Sequence, residues 1–209
     1  AGADGRPEVG RAYAFGSSQS GRFLRHLLYL GFNQDEAGRQ VLDGVMANVA
    51  GGARGSFNHR FAQPSRHTCA HTDQFYPTEQ FPFTDLPQTD PETGAEGGLL
   101  DRCEQMGVTP RIFYTNTSTE YWNRGASLVH TDLEGGRDVP VHENARFYHF
   151  SSTQHGPGAL PQGGRKALPA NPVNFRYALR ALLVALDAWV REGEAPPESR
   201  YGTLAEGML

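Results

Sequence analysis

The sequence predicts one domain with an α/β fold, built from a mostly parallel sheet and flanking helices. Short apolar segments of strand length alternate with segments of helical periodicity or with long connections, an order typical of α/β sheets. The chain has 209 residues, enough for one domain with a substantial hydrophobic core. Its net charge of −4 is small and the charges are interspersed, so we expect neither a nucleic-acid partner nor a membrane partner.

Four segments have the apolar pattern of strands: residues 12–15, 41–50, 111–115 and 145–150. Apolar residues at helical spacing predict a helix over 21–30, which Gly31 ends, and a longer helix that Asn171-Pro172 opens and Gly193 closes. Shorter helical segments are predicted over 98–104 and 123–129.

Residues 53–108 lack periodicity and are rich in proline and aromatic residues. A connection of this length in a compact domain is usually functional, and its aromatic content is too high for a disordered linker. We therefore predict a cap inserted between two parts of a core, 1–52 and 109–209. The alternative is that the aromatic residues only anchor a long surface loop.

The segment Gly16-Ser-Ser-Gln-Ser-Gly21 joins the first predicted strand to the first predicted helix. A serine on so tight a strand–turn–helix connection is typical of a nucleophile elbow, in which the residues two before and two after the serine must be small. With Ser18 as the nucleophile these positions are Gly16 and Ser20, a departure from the usual second glycine. The alternative is a serine-rich turn in which Ser20 caps the helix.

Reactive groups of a parallel sheet gather at the carboxyl ends of its strands, and Ser18, Glu120 and His155 each follow a predicted strand. A serine hydroxyl needs a neighbouring base, and the base needs an acid that fixes its tautomer. The chain order serine, acid, histidine is a known triad order on such sheets. We therefore predict these three residues as nucleophile, acid and base.

The backbone N–H of Gln19, the residue after the nucleophile, is the predicted oxyanion donor. Competing residues lie on or near the same strands and loops: His130, His142 and His149 for the base, Asp132 and Asp138 for the acid. Tyr121 and Trp122, beside the acid, are predicted to pack rather than to bind substrate.

Two alternatives stay open for Cys69 and Cys103: a disulfide, which would suit an exported protein, or two free thiols. The compartment is otherwise unknown. His67, Cys69 and His71 alternate as metal ligands on one strand could, but their spacing matches no strong zinc pattern. We expect neither a metal nor a cofactor.

Five segments together resemble a poorly characterised bacterial family of α/β-hydrolase domain proteins: residues 16–25, 31–36, 57–64, 113–122 and 153–157. The resemblance covers nearly the whole chain and implies a serine hydrolase fold with Ser18, Glu120 and His155 in the triad. Family members are considerably longer, and four strands usually precede the elbow, whereas only 17 residues precede Ser18 here. The first half of the usual sheet is therefore expected to be absent, which leaves the second oxyanion donor unassigned.

Together these features predict a carboxylic ester hydrolase acting on a small-molecule or polymeric ester. Two alternatives remain: an amidase, peptidase or acyltransferase with the same triad, or a non-catalytic fragment. A second copy or another chain that completes the sheet is an expected partner, because an unpaired sheet edge favours association.

Overall fold

The computed structural model describes residues 9–60, 79–159 and 170–209. Its strands are β1 (Tyr13–Ser17), β2 (Gly44–Asn48), β3 (Gln88–Thr89), β4 (Glu96–Gly97), β5 (Arg111–Thr117) and β6 (Ala145–Phe150). Its helices are α1 (Gln19–Tyr29), α2 (Asp101–Met106), α3 (Ser118–Asn123) and α4 (Arg176–Glu192), with a 3₁₀ helix at Ala126–Val129. Four strands form one parallel sheet in the order β1-β2-β5-β6, and β3 and β4 form a small antiparallel pair. The predicted α/β class is confirmed.

Apolar side chains cover both faces of the parallel sheet, as is usual when helices flank it on both sides. On β2, Val45 and Ala47 belong to the core cluster that includes Leu24 and Leu28 of α1. Met46, between them, belongs to a second cluster with residues of α4: Leu182, Leu186 and Trp189. This alternation explains why the strand is a continuous apolar run in the sequence.

The register of the sheet brings the carboxyl ends of its strands to one edge. Ser17 at the end of β1 pairs with Asn48 of β2, and Asn48 pairs with Thr115 of β5. Thr117 at the end of β5 pairs with Phe150 at the end of β6. The connections that leave β1, β5 and β6 therefore begin at the same edge of the sheet.

Several predicted boundaries differ from the observed ones, and α1 is the first. This helix begins at Gln19, directly after Ser18, so Ser20 lies inside it and is not its cap. We predicted that the helix starts at Gly21, which is too far along the chain, because its first turn is polar and carries no apolar periodicity.

A helix was also missed after β5, where we predicted a helix only over 123–129. The structure has α3 at Ser118–Asn123 and a 3₁₀ helix at Ala126–Val129. Glu120 accepts a hydrogen bond from the backbone N–H of Thr117, 2.9 Å away, which is half of a capping box. The pattern Thr-x-x-Glu at 117–120 was the signal that could have located this start.

The longest helix, α4, begins at Arg176 and not at Asn171-Pro172. The backbone N–H of Asn171 donates to Gln154 Oε1 at 3.1 Å, and its side-chain oxygen accepts from the N–H of Val173 at 2.9 Å. These bonds hold the segment before Arg176 in a non-helical conformation. Gly193 ends the helix with φ 72°, as predicted.

The described parts of the predicted cap, 53–60 and 79–108, are attached closely to the core. Leu99, Leu100 and Cys103 are fully buried in the cluster that contains α1 and β2 residues. The buried Arg25 of α1 donates to the carbonyl oxygens of Gly52 (2.8 Å), Ala53 (3.3 Å) and Phe83 (2.5 Å), so one guanidinium ties the beginning of this segment to Phe83 within it. Residues 61–78 lie outside the described part, and the cap itself stays a prediction.

The segment that follows α4 covers the outer edge of β6. Arg200 pairs with Tyr148 in a parallel bridge, and its backbone exchanges hydrogen bonds with Phe147 (2.8 Å) and His149 (2.7 Å). Among the residues that the structure describes, none of the helices combines the length and the apolar character needed to cross a membrane.

Candidate active site

Ser18 lies between β1 and α1 in a strained backbone conformation, with φ 58° and ψ −121°. Such angles are uncommon for a residue other than glycine and are concentrated at functional sites. The N–H of Ser18 donates to the carbonyl oxygen of Asn48 at 2.8 Å, which ties the turn to the end of β2. Ser18 directly follows β1, so it lies at the carboxyl edge of the sheet. It is half-buried, and its hydroxyl remains accessible.

The small residues around Ser18 are required by close backbone contacts. A Cβ atom on Gly16 would lie 2.5 Å from the carbonyl oxygen of Ser20. On Gly21 it would lie 3.0 Å from the carbonyl oxygen of Asn48 and 3.1 Å from that of Gly16. The positions two before and two after the serine thus approach each other, as the elbow interpretation requires.

Glu120 is fully buried in the first turn of α3. One carboxylate oxygen, Oε2, accepts hydrogen bonds from the backbone N–H and the hydroxyl of Thr117. The other oxygen, Oε1, is thereby directed at the loop that follows β6. The capping interaction that begins α3 therefore also orients this carboxylate.

His155 joins the other two residues. Its Nδ1 lies 2.5 Å from Glu120 Oε1, and its Nε2 lies 2.9 Å from Ser18 Oγ. Both distances are short enough for hydrogen bonds. The structure thus brings the three predicted residues into one row, the candidate triad, in which a hydroxyl proton can pass to an imidazole that a carboxylate holds.

The electrostatics favour an ionised carboxylate at this position. Burial acts to raise the pKa of Glu120, but the hydrogen bonds from His155 and Thr117 outweigh it and lower the pKa below its ordinary value. Glu120 is therefore an anion at neutral pH. An anion at Oε1 favours the tautomer that carries its proton on Nδ1, which leaves Nε2 able to accept a proton from Ser18.

The competing histidines make other contacts. Nε2 of His130 lies 3.0 Å from the hydroxyl of Tyr121, and burial lowers the pKa of His130 to about 4. His142 pairs with Glu104 at 3.3 Å. His149 lies 3.3 Å from the hydroxyl of Ser118.

The competing acids are also engaged elsewhere. Asp138 accepts from the backbone N–H groups of Leu204 and Ala205, both at 2.9 Å. Asp132 pairs with Arg137 at 3.1 Å.

The two aromatic residues beside Glu120 differ from each other. Tyr121 packs as predicted, with its ring 4.2 Å from that of His149. The packing prediction for Trp122 was wrong, because this residue is 87% exposed. The residue lies on the solvent side of α3, two positions after the buried Glu120, and a six-residue helix buries only one face.

Three residues near the candidate triad were not predicted. Asn48 donates to Ser17 Oγ at 3.0 Å and accepts from Thr115 Oγ1 at 2.8 Å, which links the elbow to β5. Ser118 and Thr119 contact the loop that carries His155. The polar run after β5 is the only signal that could have indicated Ser118 and Thr119, whereas Asn48 lies at the end of β2.

Cys103 is a free, buried thiol that donates to the carbonyl oxygen of Leu28 at 3.2 Å. Burial, followed by the charge of Glu104, raises its pKa to about 11, so it is unreactive. The free-thiol alternative therefore applies to Cys103. His67, Cys69 and His71 lie outside the described residues, and within the described ranges no group of three or more metal-ligating side chains is present.

A family model described as "Alpha/beta hydrolase domain" matches residues 4–208 of this chain. A search of curated proteins and a search of solved structures each found no match. The matched range includes every described strand and helix and all three residues of the candidate triad.

Proposed function

This chain belongs to the alpha/beta hydrolase domain family, and we propose that it is a serine hydrolase that cleaves carboxylic esters through an acyl-enzyme. Ser18 is the nucleophile, His155 the general base and acid, and Glu120 the residue that orients and stabilises the imidazolium. The observation that carries this proposal is the row of hydrogen bonds from Ser18 Oγ through His155 to Glu120, at 2.9 Å and 2.5 Å.

The row supports a two-step reaction. His155 Nε2 takes the hydroxyl proton while Ser18 Oγ attacks the ester carbonyl, and the imidazolium then protonates the alcohol as the ester C–O bond breaks. Water attacks the acyl-enzyme with His155 again as base. The proton returns to Ser18 Oγ as the carboxylic acid leaves.

The negative charge that develops on the carbonyl oxygen needs hydrogen-bond donors. We propose the backbone N–H of Gln19 as one donor, because Gln19 directly follows the nucleophile and opens α1, whose dipole favours negative charge at that end. Among the described residues β1 is the last strand on its side of the sheet, and Phe15 on it is 55% exposed. We therefore propose that a completing chain or a second copy beside β1 supplies another donor. Sedimentation, together with activity measured as a function of protein concentration, would test this proposal.

Esters are the preferred substrate class because an alcohol leaves more readily than an amine. Cleavage of an ester therefore needs less protonation of the leaving group by His155, whose imidazole is 49% exposed to solvent. A matched pair of substrates tests the choice: a nitrophenyl ester and the nitroanilide of the same acyl group. Faster hydrolysis of the anilide would replace the ester proposal by the amidase alternative.

Covalent labelling tests the nucleophile itself. A fluorophosphonate probe is expected to form one adduct, located by peptide mass spectrometry at Ser18, and Ser18→Ala is expected to abolish it. Ser20→Ala removes an exposed hydroxyl two residues away and is the matched control, which should label normally. Folded wild-type protein that forms no adduct at Ser18 would refute the proposed function.

A further inference from the structure

The loop that carries His155 is held by side chains from another part of the chain. Residues 151–155 follow β6 without forming a helix or a strand, and Ser152 has a φ of 58°. A loop of this kind does not fix an imidazole by its own backbone geometry. The contacts that fix it come from the beginning of α3.

Three consecutive residues of α3 each bind this loop. Ser118 Oγ accepts from the N–H of Ser152 at 3.0 Å, and Thr119 Oγ1 accepts from the N–H of His155 at 3.2 Å. Glu120, the third residue, binds the imidazole at Nδ1. We propose that Ser118 and Thr119 are positioning residues, which hold the backbone of the His155 loop at the distance from which the imidazole reaches both Glu120 and Ser18; this inference rests on the proposed function of the candidate triad.

His149 on β6 keeps the Ser118 hydroxyl in the required orientation. Its Nε2 lies 3.3 Å from Ser118 Oγ, and its ring packs on Tyr121 at a centroid distance of 4.2 Å. Burial lowers the pKa of His149, so the ring is neutral, and in the tautomer protonated on Nδ1 its Nε2 accepts the hydroxyl proton. The lone pairs of Ser118 Oγ then face the N–H of Ser152.

A further residue holds the loop from the segment before α4. The side-chain N–H of Asn171 donates to the carbonyl oxygen of Ser152 at 2.5 Å, and its backbone N–H donates to Gln154 Oε1 at 3.1 Å. The Ser152 backbone is thus bound at its N–H by Ser118 and at its carbonyl by Asn171. Because these bonds act on both sides of the loop, the removal of the α3 hydroxyls is expected to displace His155 without unfolding the site.

The test compares Ser118→Ala, Thr119→Val and the double variant with Thr119→Ser, which keeps the hydroxyl. Thr109→Val is the matched control, since the Thr109 hydroxyl binds the exposed Glu104. A misplacement of about 1 Å lowers rates by about 100-fold. On the ester that the wild type hydrolyses, we expect kcat to fall about tenfold in each single variant and about 100-fold in the double variant. KM should be unchanged, and Thr119→Ser and Thr109→Val should retain wild-type rates.

A proton NMR signal separates this proposal from the proposed function. The downfield Nδ1 proton of a histidine bound to a carboxylate reports the His155–Glu120 hydrogen bond without any substrate. We expect this signal to broaden or exchange faster in the double variant and to persist in Thr119→Ser and Thr109→Val. That result supports the positioning role even if the wild type hydrolyses no ester.

The proposal is overturned if the double variant keeps both the wild-type kcat and the unchanged proton signal. It is also overturned if the folded wild type lacks the signal. The His155–Glu120 hydrogen bond, which Ser118 and Thr119 are proposed to maintain, would then not persist. If the double variant does not fold, Thr119→Val decides the question, since valine preserves the shape of threonine and replaces only the hydroxyl by a methyl group.

Discussion

Replacing Glu120 by glutamine exchanges one carboxylate oxygen for an NH₂ group and removes the charge from the buried end of the candidate triad. The amide has one carbonyl oxygen and one NH₂ group. If its oxygen accepts from the N–H of Thr117, as Oε2 does now at 2.9 Å, its NH₂ group faces His155 Nδ1. The imidazole must then accept at Nδ1 and carry its proton on Nε2, where it can no longer accept the proton of Ser18.

The expected loss of activity follows from this reversal of the tautomer. When the acid of a serine triad is replaced by its amide, kcat falls by about 10⁴ while the geometry is kept. The loss of stability should be much smaller, since the bond to Thr117 survives and His155 is half-exposed. We expect the free energy of unfolding to fall by about 1–2 kcal/mol through the lost charge-assisted hydrogen bond.

The measurement is steady-state ester hydrolysis, together with the rate of fluorophosphonate labelling at Ser18 and urea unfolding. Asp132→Asn is the matched control, because it makes the same chemical change at a loop carboxylate that pairs with Arg137. This control should keep its activity. A folded Glu120→Gln variant within tenfold of the wild-type kcat would contradict the assigned role of the acid.

Three further predictions concern the support of the site and the core. Asn48→Ala should lower the labelling rate of Ser18 and, by leaving the buried Thr115 hydroxyl without its acceptor, reduce the free energy of unfolding by about 1–3 kcal/mol in urea titrations; wild-type values for both would contradict it. Arg25→Met should reduce this free energy by about 3 kcal/mol, because three carbonyl oxygens lose their donor, and Arg25→Lys should restore little, since one ammonium cannot reach all three. Burial lowers the pKa of His130 to about 4 in the folded chain, whereas in the unfolded chain it has its ordinary value of about 6.5. Between about pH 6.5 and about pH 4, therefore, this residue is protonated mainly in the unfolded chain. Stability should therefore fall as pH falls through this window, by up to about 1.4 kcal/mol per pH unit; His130→Phe should show a shallower dependence, and an equal slope in both proteins would refute the assignment.

Local patterns were sufficient for the elements whose causes are local. The strand over 145–150 was predicted with its observed ends, because apolar periodicity is a property of neighbouring residues. The elbow at Ser18 was predicted from the small residues beside it, since the contacts that exclude bulk at Gly16 arise within the same turn. The start of α3 was missed although its capping pattern is also local, because the polar residues hid it.

The sequence by itself determined which residues have the chemistry of a triad and that they follow strands of an α/β sheet. Only the tertiary structure decided that they meet: His155 lies 35 positions from Glu120 and 137 from Ser18 along the chain. The parallel register of β1, β2, β5 and β6 closes these separations, and we propose that the hydrogen bonds of Asn48, Ser118 and Thr119 set the final distances. Such bonds join residues whose proximity exists only after the sheet has formed, so no local pattern encodes them.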